Sequence, residues 1–248
     1  MIRLLKTRLL QGRRTVDFPG PQKLPERFRG LPVLQPASCA NGCRACADAC
    51  PTQAIGVEPL KLDLGKCVFC TECMDACPQG AIDFTRGRYQ QSFRKREDLV
   101  LDRSEARLAG ALDKRMRSLF GRSLKLRHVA AGDCSGCAVE LNALSNVVFD
   151  LGRFGVQFVA SPRHADGIVV SGPVSANMRD PLLMAYEATP APKLVIAVGA
   201  CAISGGPFAG SPEVTGIPAQ VPVDLYVAGC PPHPLTLLDG LLRMLGRL

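Results

Sequence analysis

The stretch from Cys39 to Pro78 constrains this chain more than any other. It reads Cys39-x3-Cys43-x2-Cys46-x3-Cys50-Pro51, then Cys67-x2-Cys70-x2-Cys73-x3-Cys77-Pro78, so two runs repeat one pattern. Three closely spaced thiolates reach three corners of one four-iron, four-sulfur cube because the backbone curls round it. The fourth cysteine of such a run lies too far along and ligates the other cube. The spacing therefore assigns Cys39, Cys43, Cys46 and Cys77 to a first cluster, and Cys67, Cys70, Cys73 and Cys50 to a second. Each following proline prevents the backbone from continuing in helix and turns the chain away.

This is the bacterial ferredoxin pattern. Structural zinc usually shows two Cys-x2-Cys pairs or Cys pairs with His pairs, whereas each run here has four cysteines, a proline and no histidine. Disulfides would need an exported chain. Met1 to Leu10 is too interrupted by Arg3, Lys6 and Arg8 to read as a secretory signal. The expectation is a reducing compartment, where thiolates bind metal. One departure stands out: the first run opens Cys-x3-Cys through Asn41 and Gly42, an extra residue that a positive φ at Gly42 would accommodate.

At 248 residues there is room for about two domains. No apolar run approaches the roughly 18 residues a membrane span needs, so the reading is a soluble or peripheral protein. The net charge of +8 is uneven. Residues 1–30 carry eight Lys and Arg against two acids, and residues 89–122 nine against five. Residues 31–88 (five against six) and 123–248 (eight against nine) are nearly neutral. A nucleic-acid binder would show a basic face on a folded domain with stacking aromatics, and Trp is absent here. The basic segments read instead as docking elements for protein partners or anionic headgroups, against the alternative of a merely solvated arm.

Taken in order, Ile2, Leu5 and Leu9 fall at helical spacing with basic residues between them, which predicts a short amphipathic helix. Pro19, Pro21, Pro25, Pro32 and Pro36 predict an extended run over a surface. Residues 31–88 form the two-cluster domain. Its matching segments Thr52-Gln53-Ala54-Ile55 and Gln79-Gly80-Ala81-Ile82 suggest a pseudo-twofold with Ile55 and Ile82 against the clusters. With so few aromatics its core would be largely metal, so metal should drive its folding. Residues 89–122 read as a basic, partly helical linker, and residues 1–30 as an amphipathic and Pro-rich docking arm. From residue 123 onward, Val/Ile-rich runs at Leu124–Ala130, Val156–Ala160, Gly167–Val170, Lys193–Val198 and Val223–Val227 alternate with helical patterns. Those patterns cover Val139–Phe154, Leu182–Ala188 and Leu235–Leu245. Such alternation argues for a parallel sheet. The expected fold class is thus an α+β ferredoxin module followed by an α/β flavodoxin-like parallel-sheet domain.

The four remaining cysteines, Cys134, Cys137, Cys201 and Cys230, each follow a predicted strand. In open parallel sheets, ligands bind where the loops converge at the carboxyl ends of strands. Four thiolates from three loops on that edge make a third 4Fe-4S site, with zinc remaining possible on spacing alone. Glycines 132, 136, 199, 205, 206 and 229 would let the backbone approach and donate N–H groups to sulfur.

Here the chain resembles known families. The segments Ser161-Pro-Arg-His-Ala-Asp166, Val198-Gly-Ala-Cys201-Ala-Ile-Ser-Gly-Gly206 and Val221-Pro-Val-Asp-Leu-Tyr-Val-Ala-Gly-Cys230-Pro-Pro carry the resemblance. They are similar to the subunit bearing the terminal cluster of respiratory complex I, and to the small subunit of membrane-bound, energy-converting NiFe hydrogenases of the formate hydrogenlyase type. Thr15 to Leu101 resembles the two-cluster ferredoxin subunit of the same complexes, so the chain looks like a fusion of two subunits usually separate. The complex I subunit typically has adjacent cysteines at its first ligand position. Cys134-x2-Cys137 looks like the hydrogenase pattern instead.

The resemblance implies an electron-transfer subunit with three 4Fe-4S clusters, peripheral on the cytoplasmic side of the inner membrane. Its implied partners are a catalytic large subunit, NiFe hydrogenase-like or complex I-like, and membrane-arm subunits. A complex I-like quinone-reducing complex, or a metal-stabilised assembly module, is the alternative. In these families an acid at the position of Glu140 sits near the partner's active site and can relay protons; the plain reading is a carboxylate favouring a helix N-terminus. Asp133 reads as a turn residue. His128, His164 and His233 are isolated and form no metal pair, with His164 in a turn. No phosphate loop and no nucleophile–base constellation is present, so the chain holds no complete active site of its own.

Overall fold

The computed structural model describes residues 2–20, 24–40, 42–102 and 106–248. Pro21 and Asn41, both invoked above, lie outside the described residues. The first element is helix α1 (Ile2–Gln11), with every residue exposed. The segment after it lies against the C-terminal half of the chain. Val16 N–H donates to Val148 O at 2.8 Å, Arg153 donates to Val16 O at 2.7 Å, and the Phe18 ring meets Phe154 edge-on at 6.3 Å.

The cysteine-rich region is built from short pieces: β1 (Pro32–Leu34), α2 (Ala45–Asp48), β2 (Ile55–Val57), β3 (Leu60–Asp63), α3 (Glu72–Asp75) and β4 (Ile82–Phe84). β1 pairs antiparallel with β4, and β2 with β3. The two cysteine runs end in matching turns. Gln53 N–H bonds Cys50 O and Gly80 N–H bonds Cys77 O, both at 3.2 Å, and both residues have positive φ. Gly42 has φ +73°, as the extra residue in the first run requires.

Residues 89–122 stitch the two halves together. β5 (Ser92–Phe93) joins the large sheet and β6 (Val100–Leu101) joins β3 in the small one. Helix α4 (Lys114–Phe120) then starts at an Asp113 cap that accepts Met116 N–H at 2.9 Å.

The second half runs β7 (Leu124–Ala130), α5 (Gly136–Ala143), β8 (Val156–Phe158), β9 (Gly167–Ser171), α6 (Ala176–Ala188), β10 (Leu194–Val198), α7 (Gly199–Ser204), β11 (Leu225–Val227) and α8 (Pro234–Met244). Its sheet has the order β5-β11-β10-β9-β7-β8, all parallel except β5. β9 and β10 are buried throughout, as strands covered on both faces must be. One face packs Leu124, Leu126 and Ile196 against the leucines of α8, and the other packs Val129, Ile168 and Val170 against Leu182 of α6. Leu235, Leu237, Leu238, Leu241 and Leu242 of α8 are all buried. At about 1.5–3 kcal/mol each, they form one of the larger apolar contributions in the chain.

Two helical expectations shift. The pattern Val139–Phe154 is helix only to Ala143, because Asn146 turns its carboxamide oxygen onto Val148 and Phe149 N–H and replaces the next helical bonds. Helix α6 begins before Leu182, at Ala176, and carries Pro181 inside it.

Candidate metal centres

The fourth cysteine of each run lies near the thiols of the other run. Burial raises the Cys67 pKa to about 12, and Cys73, Cys50 and Cys70 add to the rise against an opposing hydrogen bond from Phe69 N–H. Burial likewise takes Cys73 to about 11, with Cys50 and Cys70 next in weight. Cys46 is raised by burial and then by Cys77 and Cys39. So Cys50 sits with the second run and Cys77 with the first. Cys50, Cys67, Cys70 and Cys73 also line one small enclosed cavity together with Ile55 and Phe84. Backbone N–H groups reach sulfur symmetrically, Ala54 to Cys50 Sγ and Ala81 to Cys77 Sγ, each at 3.2 Å. Phe69 N–H reaches Cys67 Sγ at 3.4 Å.

The last four cysteines converge at the carboxyl edge of the parallel sheet. β7 delivers Cys134 and Cys137 through a turn in which Ser135 has φ +67°. Cys201 does not stand in a loop: it lies on α7, which starts as soon as β10 ends. Cys230 follows β11 through Ala228 and Gly229. Burial lifts Cys137 to about 12, followed by the influence of Cys201, Cys230, Cys134 and Asp133. Cys201 rises to about 11 by burial, then by Cys230, Cys134 and Asp133. Gly199 is the hinge of the group. Its φ is +87°, and a Cβ there would stand 2.7 Å from Cys137 Sγ. Cys134 and Cys230 are exposed, with Phe208 (51%) and Val139 (63%) also exposed on the same half.

The donor sets fit iron–sulfur ligation. Thiols gathered in this way become thiolate ligands when a metal cation takes the proton's place. Among the described residues, no three His, Cys, Asp or Glu groups close around a point that would hold one metal ion.

Of the other predicted residues, Glu140 is half-buried in α5. It lines a cleft with Cys230, Pro231, Phe28 and Arg29, and burial raises its pKa. Asp133 does sit in a turn, accepting Ser135 N–H at 3.2 Å. His164 is exposed in a short 3-10 turn. His233 caps α8, its Nδ1 accepting Leu235 N–H at 3.2 Å. His128 bonds Ser171 of the neighbouring strand β9, a contact between residues 43 positions apart that no local pattern signals.

Fold and sites together define an iron–sulfur protein with a dicluster ferredoxin domain and a mostly parallel cysteine-bearing domain. Residues 38–81 match the 4Fe-4S dicluster domain, and residues 134–244 match the family described as NADH ubiquinone oxidoreductase, 20 Kd subunit. The probable membrane-bound hydrogenase subunit mbhJ of Pyrococcus furiosus is 44% identical over 142 residues, which are 55% of this chain and 84% of that one. Formate hydrogenlyase subunit 7 of Escherichia coli is 40% identical over 151 residues, 60% of this chain and 58% of the relative. An NADH-quinone oxidoreductase subunit of Citrifermentans bemidjiense is 48% identical over 108 residues, 44% of this chain and 64% of the relative. The chain thus spans less than two thirds of the latter two. It belongs to the family of the 20 Kd subunit and the membrane-bound hydrogenase subunits related to it, and carries the dicluster domain in the same polypeptide.

Proposed function

We propose that this chain is the electron-transfer subunit of a membrane-bound, hydrogenase-type complex and holds three 4Fe-4S clusters. Clusters, when bound, supply the one-electron carriers; the protein supplies placement and tuning. Cys39, Cys43, Cys46 and Cys77 hold the first, Cys67, Cys70, Cys73 and Cys50 the second, and Cys134, Cys137, Cys201 and Cys230 the third. The observation that carries this is the convergence of Cys134, Cys137, Cys201 and Cys230 at the carboxyl edge of the sheet, beside a cysteine-rich half in which Cys50 lines one cavity with Cys67, Cys70 and Cys73. The Cys-x2-Cys-x2-Cys-x3-Cys-Pro form of the second run favours cubes over single zinc ions in the cysteine-rich half.

The order of relay follows from what lies between the sets. Val68 and Phe69, inside the second run, line one cleft with Cys230 to Pro232. Arg29 donates to Phe69 O at 2.8 Å across it, and Ser204, at the end of α7, donates to Gly65 O at 2.7 Å. The second set therefore faces the third, and the first is outermost. The exposed edge at Cys134 and Cys230 is where a catalytic large subunit docks, with Glu140 beside it as a proton relay or contact. A NiFe partner is favoured over a quinone-reducing one by Cys134-x2-Cys137.

The domain reading is a docking arm at 1–30, the two-cluster domain at 31–88, a basic linker at 89–122 and the third-cluster domain at 123–248. The strand order β8-β7-β9-β10-β11 supports a flavodoxin-like classification of the last. Among the described residues no helix is long and apolar enough to cross a membrane. Exposed α1, with Ile2, Leu5 and Leu9 among basic residues, suits attachment at the cytoplasmic surface or to membrane-arm subunits.

Anaerobic iron and sulfide analysis with electron paramagnetic resonance tests the reading. About twelve irons per chain and redox-active signals are expected. Eight irons with the last four cysteines free, or zinc in their place, would overturn the third site.

A further inference from the structure

One half-buried polar chain leads to the third site without containing any of its thiols. Asp133 immediately precedes Cys134. Its Oδ1 accepts Ser135 N–H at 3.2 Å, and its Oδ2 accepts the Ser171 hydroxyl at 2.5 Å. Ser171 ends β9 and is fully buried. Its oxygen lies 2.8 Å from His128 Nε2. A hydroxyl has one proton, and here it points at Asp133. Ser171 must then accept from the ring, so His128 carries its proton on Nε2 and donates. The chain runs one way, from His128 through Ser171 to Asp133.

The backbone holds this line in place. Ala131 N–H donates to Ser171 O at 2.7 Å, and Gly172, at φ +88°, lets the chain pass so close that a Cβ would meet Asp133 N at 2.6 Å. The carboxylate at the end of the line belongs to the residue directly before Cys134 and accepts Ser135 N–H within the Cys134–Cys137 turn, so its charge lies beside the metal site. At the other end, His128 borders a groove of about 830 Å³ alongside Phe158, Met178 and Met184.

We propose that His128 and Ser171 are positioning residues that set how much negative charge Asp133 presents to the third cluster, and thereby its reduction potential. A carboxylate whose charge is drawn into a short hydrogen bond repels an added electron less than one left bare. A donor aimed at Ser171 strengthens the hydroxyl's own donation. The proposal rests on reading Cys134, Cys137, Cys201 and Cys230 as a cluster site.

The test is a dithionite titration of the full chain at pH 8, followed by electron paramagnetic resonance, with iron counted in every variant. The dicluster signals serve as the internal reference. Ser171→Ala is expected to lower the potential of the third cluster and leave the other two unmoved. His128→Phe should lower it less, and the double variant should fall no further than Ser171→Ala alone, since His128 acts only through Ser171. Asp133→Asn should raise it. His128→Gln, which keeps an N–H donor near the Nε2 position, should restore the parental value. If the parent binds only eight irons, the cluster reading itself fails. If twelve irons bind and Ser171→Ala leaves the potential unchanged or raises it, or if the His128 and Ser171 effects add, the proposal is overturned. Should Ser171→Ala lose its third cluster, His128→Phe and Asp133→Asn decide alone: opposite shifts support the proposal, and equal or absent shifts refute it.

Discussion

Substituting Gly199 by alanine should damage the third metal site and spare the other two. Gly199 follows β10 directly, is buried, and has φ +87°. An L-residue in that left-handed region costs roughly 1–2 kcal/mol. The new methyl group would also stand 2.7 Å from Cys137 Sγ and 3.5 Å from Gly229 O, and forcing an extra carbon into packed surroundings costs roughly 1–3 kcal/mol. Relief requires Cys137 to retreat from Cys201 and Cys230, so the cost falls on ligand geometry. The sum, about 2–5 kcal/mol, corresponds to a loss of about thirty-fold to a few thousand-fold in site occupancy at about 1.4 kcal/mol per decade. Gly210→Ala is the control: its φ of +85° imposes the same backbone strain, but a Cβ there meets nothing within 4 Å. Iron content and the resonance signals of each variant, measured after mild chelator challenge, give the answer. Gly199→Ala should lose the third signal first, and Gly210→Ala should behave as the parent. Equal retention of all three signals in Gly199→Ala would refute the role given to that glycine.

Cys50→Ala should abolish the cluster of Cys67, Cys70 and Cys73 while the signal of the Cys39 set persists; loss of the opposite cluster, by the same resonance assay, would reverse the crossed assignment. Glu140→Gln should keep about twelve irons yet impair turnover of the assembled complex, so full hydrogen evolution in the variant would remove the relay. Burial depresses the His233 pKa, so its stabilisation is present above the unfolded value near 6.5 and is lost as pH falls through the lower folded value. Asn at 233 keeps a helix-capping oxygen without a titrating ring. Relative to the parent, the thermal stability of His233→Asn should therefore improve between pH 7 and pH 5, and a constant difference would contradict this.

The dicluster domain was legible because the spacing of its two cysteine runs is a local property of the chain, and β7 lies at the predicted Leu124–Ala130 for the same reason. Other features were hidden by their range. β5 and β6 are two residues long, too short to show a period, and exist because β11 and β3 offer open edges. Pro181 concealed the first part of α6. Its missing N–H removes one helical bond to Asn177, and the helix continues through it. The line from His128 to Asp133 depends on the parallel pairing of β7 with β9, which sets His128 opposite Val169 and Ala130 opposite Ser171. No single segment encodes that register.

The coupling of the two cysteine-bearing halves follows from the stretch that composition marked only as basic. Phe93 pairs with Tyr226 in the large sheet, yet its ring is fully buried in the core of the cysteine-rich half. One 3-10 turn later, Leu101 pairs with Leu62 in the small sheet. Between them Arg96 grips both oxygens of Asp63 at 2.9 and 2.6 Å, close to the loop that leads to Cys67. Two separate chains brought together would lose roughly 4–15 kcal/mol of translational and rotational freedom. A covalent crossing strand removes most of that cost. A few directional ties, from Arg96 to Asp63, Ser204 to Gly65 and Arg29 to Phe69, then suffice to fix where the second thiol set stands relative to the third.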